Sequence, residues 1–398
     1  MSRRQRQRLI NNSISRRQFL GRAGLLTGAV ALGPSVLAAC GGDDDDTGGS
    51  GSGDTGGGGT PTLKISNWIE YIDEEKQLAK DAAAYASAKV DYIEDVNDNS
   101  EYFATVLQPT LSQGKSANRD GFIVTDWMAS RVISLDWVSQ IDRSATANLG
   151  NILDSLADPS WDPGRKFSVP WQSGMTGVAY NISKTGRELT SLEELFDPAF
   201  KGQVTFLTEM RDTVGLMMLL EGADPSDISS IDDAQGAFDR IAEAKASGQL
   251  RAFTGNEYVS DLTTGNLTAA LAWSGDVLQA SLEDPDIRFL IPEEGALLWS
   301  DNFLIPSSSE NVAAASKWID FFYDPVNAAQ LTMAIQFVSP VQGVADELRK
   351  LGEEGVALAD SPLVVPDDEA LANLHIFSAL DEETETAFDA RFAEISGA

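Results

Sequence analysis

One cysteine and one histidine occur in 398 residues. A single Cys excludes an intrachain disulfide. With only His375, an H-E-x-x-H zinc motif cannot be assembled. A Ser-His-Asp triad has one histidine to draw on, and no G-x-S-x-G stretch offers its nucleophile. The seven tyrosines are scattered, unlike the clustered tyrosines of an iron receptor. Basic residues are scarce as well: 29 Lys and Arg face 61 Asp and Glu, a formal net charge of −32. Such a chain repels nucleic acid and anionic lipid headgroups and attracts cations. The acids run along the whole length, so most of this charge reads as solvated surface. Its sign still constrains what can bind.

What is present points to a folded, exported chain. Hydrophobic residues make up 42%, enough for a substantial core, and the length exceeds one ordinary domain, so two lobes are expected. Residues 1–39 hold seven Arg and no acid. The basic start (Arg3, Arg4, Arg6, Arg8) leads into Ser15-Arg16-Arg17-Gln18-Phe19-Leu20, which resembles the twin-arginine export signature. Paired Arg also precede ordinary secretory signals. Gly21 to Val36 is weakly apolar and Gly-rich, short of the ~20 strongly apolar residues of a span. Leu37-Ala38-Ala39-Cys40 then resembles a lipobox, which makes Cys40 the expected lipidation site. Acyl chains at ~0.8 kcal/mol per buried CH2 suit stable anchoring. Without residues 1–39 the chain keeps 22 basic against 61 acidic side chains.

Residues 40–61 read as a tether of Gly, Ser, Thr and Asp, with a root-mean-square span of ~25 Å. Its Gly51-Ser52-Gly53-Asp54-Thr55-Gly56 matches G-x-G-x-x-G, but no strand precedes it and no helix follows. Gly114-Lys115-Ser116 ends like a P-loop, yet Pro109 stands where the leading Gly is required. Neither predicts nucleotide binding.

Beyond Thr62, strand and helix patterns alternate. Strands are predicted at Leu63–Ser66, Val90–Glu94, Gly121–Val124, Val169–Tyr180 and Gln203–Leu207. Helices are predicted at Asp73–Lys89, at Ser100–Gln113 with a break at Pro109, and at Met210–Glu221, Ile231–Ser247, Ala313–Phe322 and Pro325–Ile335. This alternation predicts an α/β fold with mixed, mostly parallel sheets. In such sheets ligands bind beyond the carboxyl ends of strands. Four segments there pair an aromatic with a carboxylate: Asn67-Trp68-Ile69-Glu70-Tyr71, Thr125-Asp126-Trp127, Trp273-Ser274-Gly275-Asp276 and Trp299-Ser300-Asp301. A polyamine, methylenes punctuated by ammonium groups, needs that pairing. Aromatic faces contribute about 0.5–2 kcal/mol per cation–π contact. Carboxylates contribute about 1.5–3 kcal/mol per charge-assisted hydrogen bond. Each residue alone also has a structural reading: a Trp at a strand end suits a core, and Asp126 or Asp276 suits a helix start.

From about Leu63 onward the chain resembles the spermidine/putrescine-binding proteins of ABC importers. The resemblance rests on Asn67-Trp68-Ile69-Glu70-Tyr71, Val169-Pro170-Trp171, Ser191 to Gly202, and Gly295-Ala296-Leu297-Leu298-Trp299-Ser300-Asp301. It implies the two-lobed periplasmic binding protein fold (type II) with a ligand cleft between lobes. The lobes would span 62–171 with 299–337, and 172–298 with 338–398, with crossings near Trp171, Trp299 and Val338. It also implies the contacts. Trp68 and Tyr71 would cover the ligand chain and Glu70 would meet an ammonium. Thr125 and Trp127 would flank the cleft. Asp212, the pair Trp273 and Asp276, and the pair Trp299 and Asp301 would follow, with Phe337 where relatives often have Tyr. The sequence departs from that pattern at Ile69, at Met210 with Glu209 beside it, and at Phe377, where a Gln is found in spermidine binders.

The expectation is therefore an extracytoplasmic solute receptor, not an enzyme. It would be monomeric, without cofactor or metal, touch the membrane through lipid alone, and serve ABC permease subunits. A receptor for another amine-containing solute, or for an opine or aminophosphonate, is the alternative. A secreted hydrolase using paired carboxylates is a more remote one.

Overall fold

The computed structural model describes residues 60–397. The export segment, Cys40 and the tether through residue 59 lie outside the described residues. Three strands form the first flank: β1 (Thr62–Trp68), β2 (Lys89–Val96) and β3 (Gly121–Thr125). Two long strands follow in the middle of the sheet, β5 (Ser168–Asn181) and β10 (Ala296–Pro306). The second flank is β6 (Val204–Leu207), β7 (Leu250–Thr254) and β8 (Ala269–Trp273). The order is β2-β1-β3-β10-β5-β8-β6-β7. Short β4 (Val138–Ser139) and β11 (Leu374–His375) pair with β10, and β9 (Ile287–Leu290) pairs with β5.

Each flank is parallel within itself, as βαβ connections require. The middle is antiparallel: β10 runs against β3 and β5, and β5 against β8. The expected crossings at Trp171 and Trp299 fall inside β5 and β10. Val338 bridges to Ser173 of β5.

Nine of the helices join or follow these strands. They are α1 (Gln77–Tyr85), α2 (Asp126–Ser134), α3 (Met210–Leu220), α4 (Gln235–Ser247) and α5 (Glu257–Thr263). The others are α6 (Ser274–Glu283), α7 (Val312–Phe321), α8 (Pro325–Ile335) and α9 (Glu382–Ser396). The first expected helix is shorter than its Ala-rich pattern. Lys76 is left-handed, and the Asp73 carboxylate accepts from the backbone N–H of Gln77 (2.7 Å) and Leu78 (2.9 Å). Asp73 thus caps the helix from outside instead of occupying its first turn. The Ser100–Gln113 helix is interrupted as Pro109 predicts: residues Phe103–Leu107 widen into a π-helical turn before Gln108–Leu111 resumes.

The core beside the first flank is aromatic. Trp171 stacks on Trp318 of α7 with centroids 5.9 Å apart, and the Trp318 indole N–H donates to the Ala79 carbonyl at 3.1 Å. These contacts fix α1 and α7 against β5. They leave the strand ends at β1, β3 and β8 to carry polar and aromatic side chains.

Candidate functional site

Ten of the eleven expected site residues line one cavity between the two flanks. These are Trp68, Tyr71, Thr125, Trp127, Asp212, Trp273, Asp276, Trp299, Asp301 and Phe337. The space not filled by atoms is about 760 Å3 with the open mouth included, and about 70 Å3 of it has room for a water-sized body. Glu70 is the exception. It is exposed, takes a left-handed backbone (φ 58°), and its N–H donates to Glu94 Oε1 at 3.1 Å. The structure does not bring it to the cavity, which corrects its expected role as an ammonium ligand.

Strand ends and helix starts position the rest. Asp301 sits on β10 opposite Thr125 at the end of β3, and the Thr125 hydroxyl donates to Asp301 Oδ1 at 2.9 Å. Asp276 occupies the first turn of α6, directly after β8. Its Oδ2 accepts from Asn256 Nδ2 and from the Tyr258 hydroxyl, both at 2.8 Å. Asp212, in the first turn of α3, links two walls. It accepts from the Trp273 indole N–H at 2.9 Å and from the Thr176 hydroxyl at 2.7 Å. Thr176 in turn accepts from the Trp299 indole N–H at 3.0 Å. One carboxylate therefore orients both indoles. Asn99, Thr176, Asn256 and Tyr258 support the acids, and no sequence motif announces them.

The aromatic side chains meet edge to face in two pairs and at a tilt in a third. Trp68 and Trp273 have centroids 6.1 Å apart, Tyr71 and Phe337 4.9 Å, and Trp299 and Phe337 5.8 Å. Two glycines permit this packing. A Cβ on Gly174 would lie 2.4 Å from the Trp299 ring, and one on Gly275 2.4 Å from Phe337. The Trp68 indole nitrogen and the Tyr71 hydroxyl are buried without a hydrogen-bond partner. The Tyr71 hydroxyl stands close enough to Asp301 for each to affect the other's ionisation, without reaching good hydrogen-bond geometry.

Burial dominates the electrostatics. It pushes the Asp301 carboxyl up to about 7 against the lowering effect of Thr125, with Asp126 and Asp212 adding like charge. Burial likewise pushes Asp212 up to about 6, although Trp273, Thr176 and Arg211 favour its charged form. Asp126 is pushed up to about 6 for the same reason, opposed by the Trp127 N–H and by Arg211. Asp126 and Asp212 are half-buried by surface area yet deep in the cavity wall, where protein more than water sets the local dielectric. Glu209 also lines the cavity and is held well above the usual carboxylate range, first by burial and then by Asp98. It accepts from the Asn99 N–H (2.8 Å) and Nδ2 (2.9 Å). Closely spaced buried carboxyls with raised pKa values favour entry of a cation. Among the described residues no group of three or more His, Cys, Asp or Glu is arranged to hold a metal ion.

Sheet order and an acid-and-aromatic cavity between the flanks define a class, the two-lobed periplasmic binding protein. The chain belongs to the bacterial extracellular solute-binding protein family, whose model matches residues 70–359. A putrescine/cadaverine-binding protein of Pseudomonas aeruginosa is 28% identical over 295 residues, covering 70% of this chain and 79% of that protein. The putrescine-binding periplasmic protein SpuD of the same species is 25% identical over 354 residues, covering 84% and 91%. A solved structure from Listeria monocytogenes superposes with a TM-score of 0.73 at 25% identity, covering 84% of this chain and 99% of that one. The spermidine/putrescine substrate-binding protein PotD of Streptococcus pneumoniae superposes at 0.68 with 22% identity, covering 85% and 99%, and shares the fold. Among the described residues no helix is long and apolar enough to cross a membrane.

Proposed function

We propose that this chain is the extracytoplasmic receptor of an ABC importer for polyamines, tethered to the membrane through Cys40. The observation that carries the ligand class is Asp301, a 3% exposed carboxyl held up to about 7 by burial among Trp68, Tyr71, Trp299 and Phe337. An ammonium beside it would remove the penalty on its charge, and the aromatic faces would cover the methylenes. The ligands for which the Pseudomonas relatives are named, putrescine and cadaverine, support the same chemistry. The anchor rests on Leu37-Ala38-Ala39-Cys40 and the Gly-rich tether after it.

The test is calorimetric titration with putrescine and spermidine at fixed moderate salt, because a chain this acidic holds any polycation loosely at low salt. Micromolar saturable binding is expected, about −8 kcal/mol. Asp301→Asn should lose about 1.5–3 kcal/mol, one charge-assisted hydrogen bond, and Trp299→Ala a comparable amount. Absence of saturable binding, or full affinity in both variants, would contradict the proposal.

A further inference from the structure

A second hollow adjoins the cavity. It is an open groove with about 760 Å3 of room for a water-sized body, against about 70 Å3 in the cavity. Asp98 and Glu101 line it from the first flank, and Asp389, Phe253 and Phe392 from the second. Lys245 and Arg251 reach it too, each donating to backbone carbonyls. Groove and cavity share three lining residues, Trp127, Glu209 and Arg211. These form the wall between them, and the wall is built across the flanks. Trp127 belongs to α2, directly after β3, and Arg211 to α3, after β6.

The Arg211 guanidinium carbon lies 3.5 Å from the Trp127 ring centroid, so a cation of one flank is laid on an indole of the other. Arg211 is 7% exposed, and its Nη2 donates to Glu385 Oε1 of α9 at 2.8 Å. The same oxygen lies 3.6 Å from Arg131 Nη1 of α2, a longer pair on a half-exposed arginine that contributes little. Helix α9 is seated on the second flank, with Phe388 against Phe238 of α4 at 5.3 Å and Phe392 against Phe253 of β7 at 5.5 Å. The cavity's other rim carries Ile69 and Ile376, which are 43% and 56% exposed. An ammonium passing these two side chains loses water and gains no acceptor from them.

Resting on the polyamine reading above, we propose that the Trp127–Arg211 contact is the gate through which amines pass between groove and cavity, and that Glu385 is the positioning residue that holds it shut. For the gate to open, the guanidinium must leave the indole. Glu385 opposes this because it fixes the guanidinium from a helix packed on the second flank alone. The gate therefore sets how fast a ligand enters and leaves, and the cavity sets which ligand stays.

The full chain is studied as wild type, Glu385→Gln and Arg211→Gln, with melting curves as the folding control. Stopped-flow mixing with putrescine reads the two rates. In Glu385→Gln both association and dissociation should quicken about tenfold, which corresponds to about 1.4 kcal/mol and falls within the range of a desolvated cation–π contact. The dissociation constant should move less than about threefold, a split that general loosening of the cavity would not give. A second readout needs no ligand. In chains labelled with 5-fluorotryptophan, the Trp127 fluorine resonance, assigned by its loss in Trp127→Phe, should shift in both Arg211→Gln and Glu385→Gln. The proposal is overturned if the folded variants keep wild-type rates, or if the resonance stays in place in Glu385→Gln. It is equally overturned if Ile376→Ala quickens both rates more than they do, which would put the entrance at the other rim. Unchanged rates with putrescine still bound leave the polyamine reading standing. A wild type that binds no amine removes that reading, and the fluorine signal then decides on the gate alone.

Discussion

Asp301 answers to two opposed demands, stability of the empty chain and affinity for a cation. In an unfolded chain its carboxyl ionises near its ordinary 3.8, whereas in the folded chain it keeps its proton up to about 7. Between those values the unfolded state binds fewer protons, so this residue makes stability fall as pH rises through that window. Above pH 7 the full penalty remains. Asp301→Asn keeps an acceptor for the Thr125 hydroxyl and removes the charge. The ligand-free variant should therefore be more stable than wild type at pH 8, by roughly 1–3 kcal/mol, and about equal to it at pH 4. Melting curves at the two pH values check this. A variant less stable than wild type at pH 8 would mean that Asp301 is stabilised as an anion by the fold itself. Asp301 and Asp276 are legible in the sequence because an aromatic beside a carboxylate at a strand end is visible in one dimension, whereas Asp212 is implied by the family resemblance alone. Sequence reasoning misplaced Glu70 because a left-handed backbone at a non-glycine residue leaves no compositional trace. It missed Asn256, just before α5, and Tyr258 in its first turn, which hold Asp276 from about twenty residues away along the chain.

At the scale of elements, the cavity is made where β8 passes into α6 and β3 into α2. β8 ends buried at Trp273 and β3 half-buried at Thr125, and in each the next residue opens a helix whose first turn carries an acid, Asp276 or Asp126. The alternation of strands and helices was legible. The Ala269-Ala270-Leu271-Ala272 run was not, because Ala favours helices by propensity. Burial on both faces makes it strand β8 instead. Gly275 shows how tightly α6 is fitted. Gly→Ala in a helix normally gains up to about 1 kcal/mol. Here the new Cβ would lie 2.4–2.5 Å from three carbons of the Phe337 ring, well inside the ~3.5–4.0 Å carbon contact distance. Overpacking of this kind costs about 1–3 kcal/mol, so the clash wins. Gly275→Ala should lower both thermal stability and amine affinity, since Phe337 also packs on Tyr71 and Trp299. Unchanged affinity would detach Phe337 from the cavity's function.

At the scale of the whole molecule, the proposed export, tethering and capture fall on separate stretches of the sequence. Among the described residues the cavity lining runs from Trp68 to Phe377. Cys40→Ala should release the protein from a detergent-dependent membrane fraction and leave ligand affinity unchanged. Persistence in that fraction would overturn the lipobox reading. Cation capture makes a sharper claim, because the acids that would receive the ligand are partly protonated before it arrives. Asp301 is near half-protonated at pH 7, with Asp212 and Asp126 next to titrate at about 6. An ammonium bound there lowers their pKa and expels protons, so affinity should rise from pH 6 to pH 8. The most direct measurement is calorimetry of putrescine binding at pH 7 in two buffers of different ionisation enthalpy. The account predicts saturable binding with net proton release, on the order of half a proton per ligand from Asp301. Binding without proton release, or proton uptake, would contradict the claim that a buried carboxyl meets the ammonium.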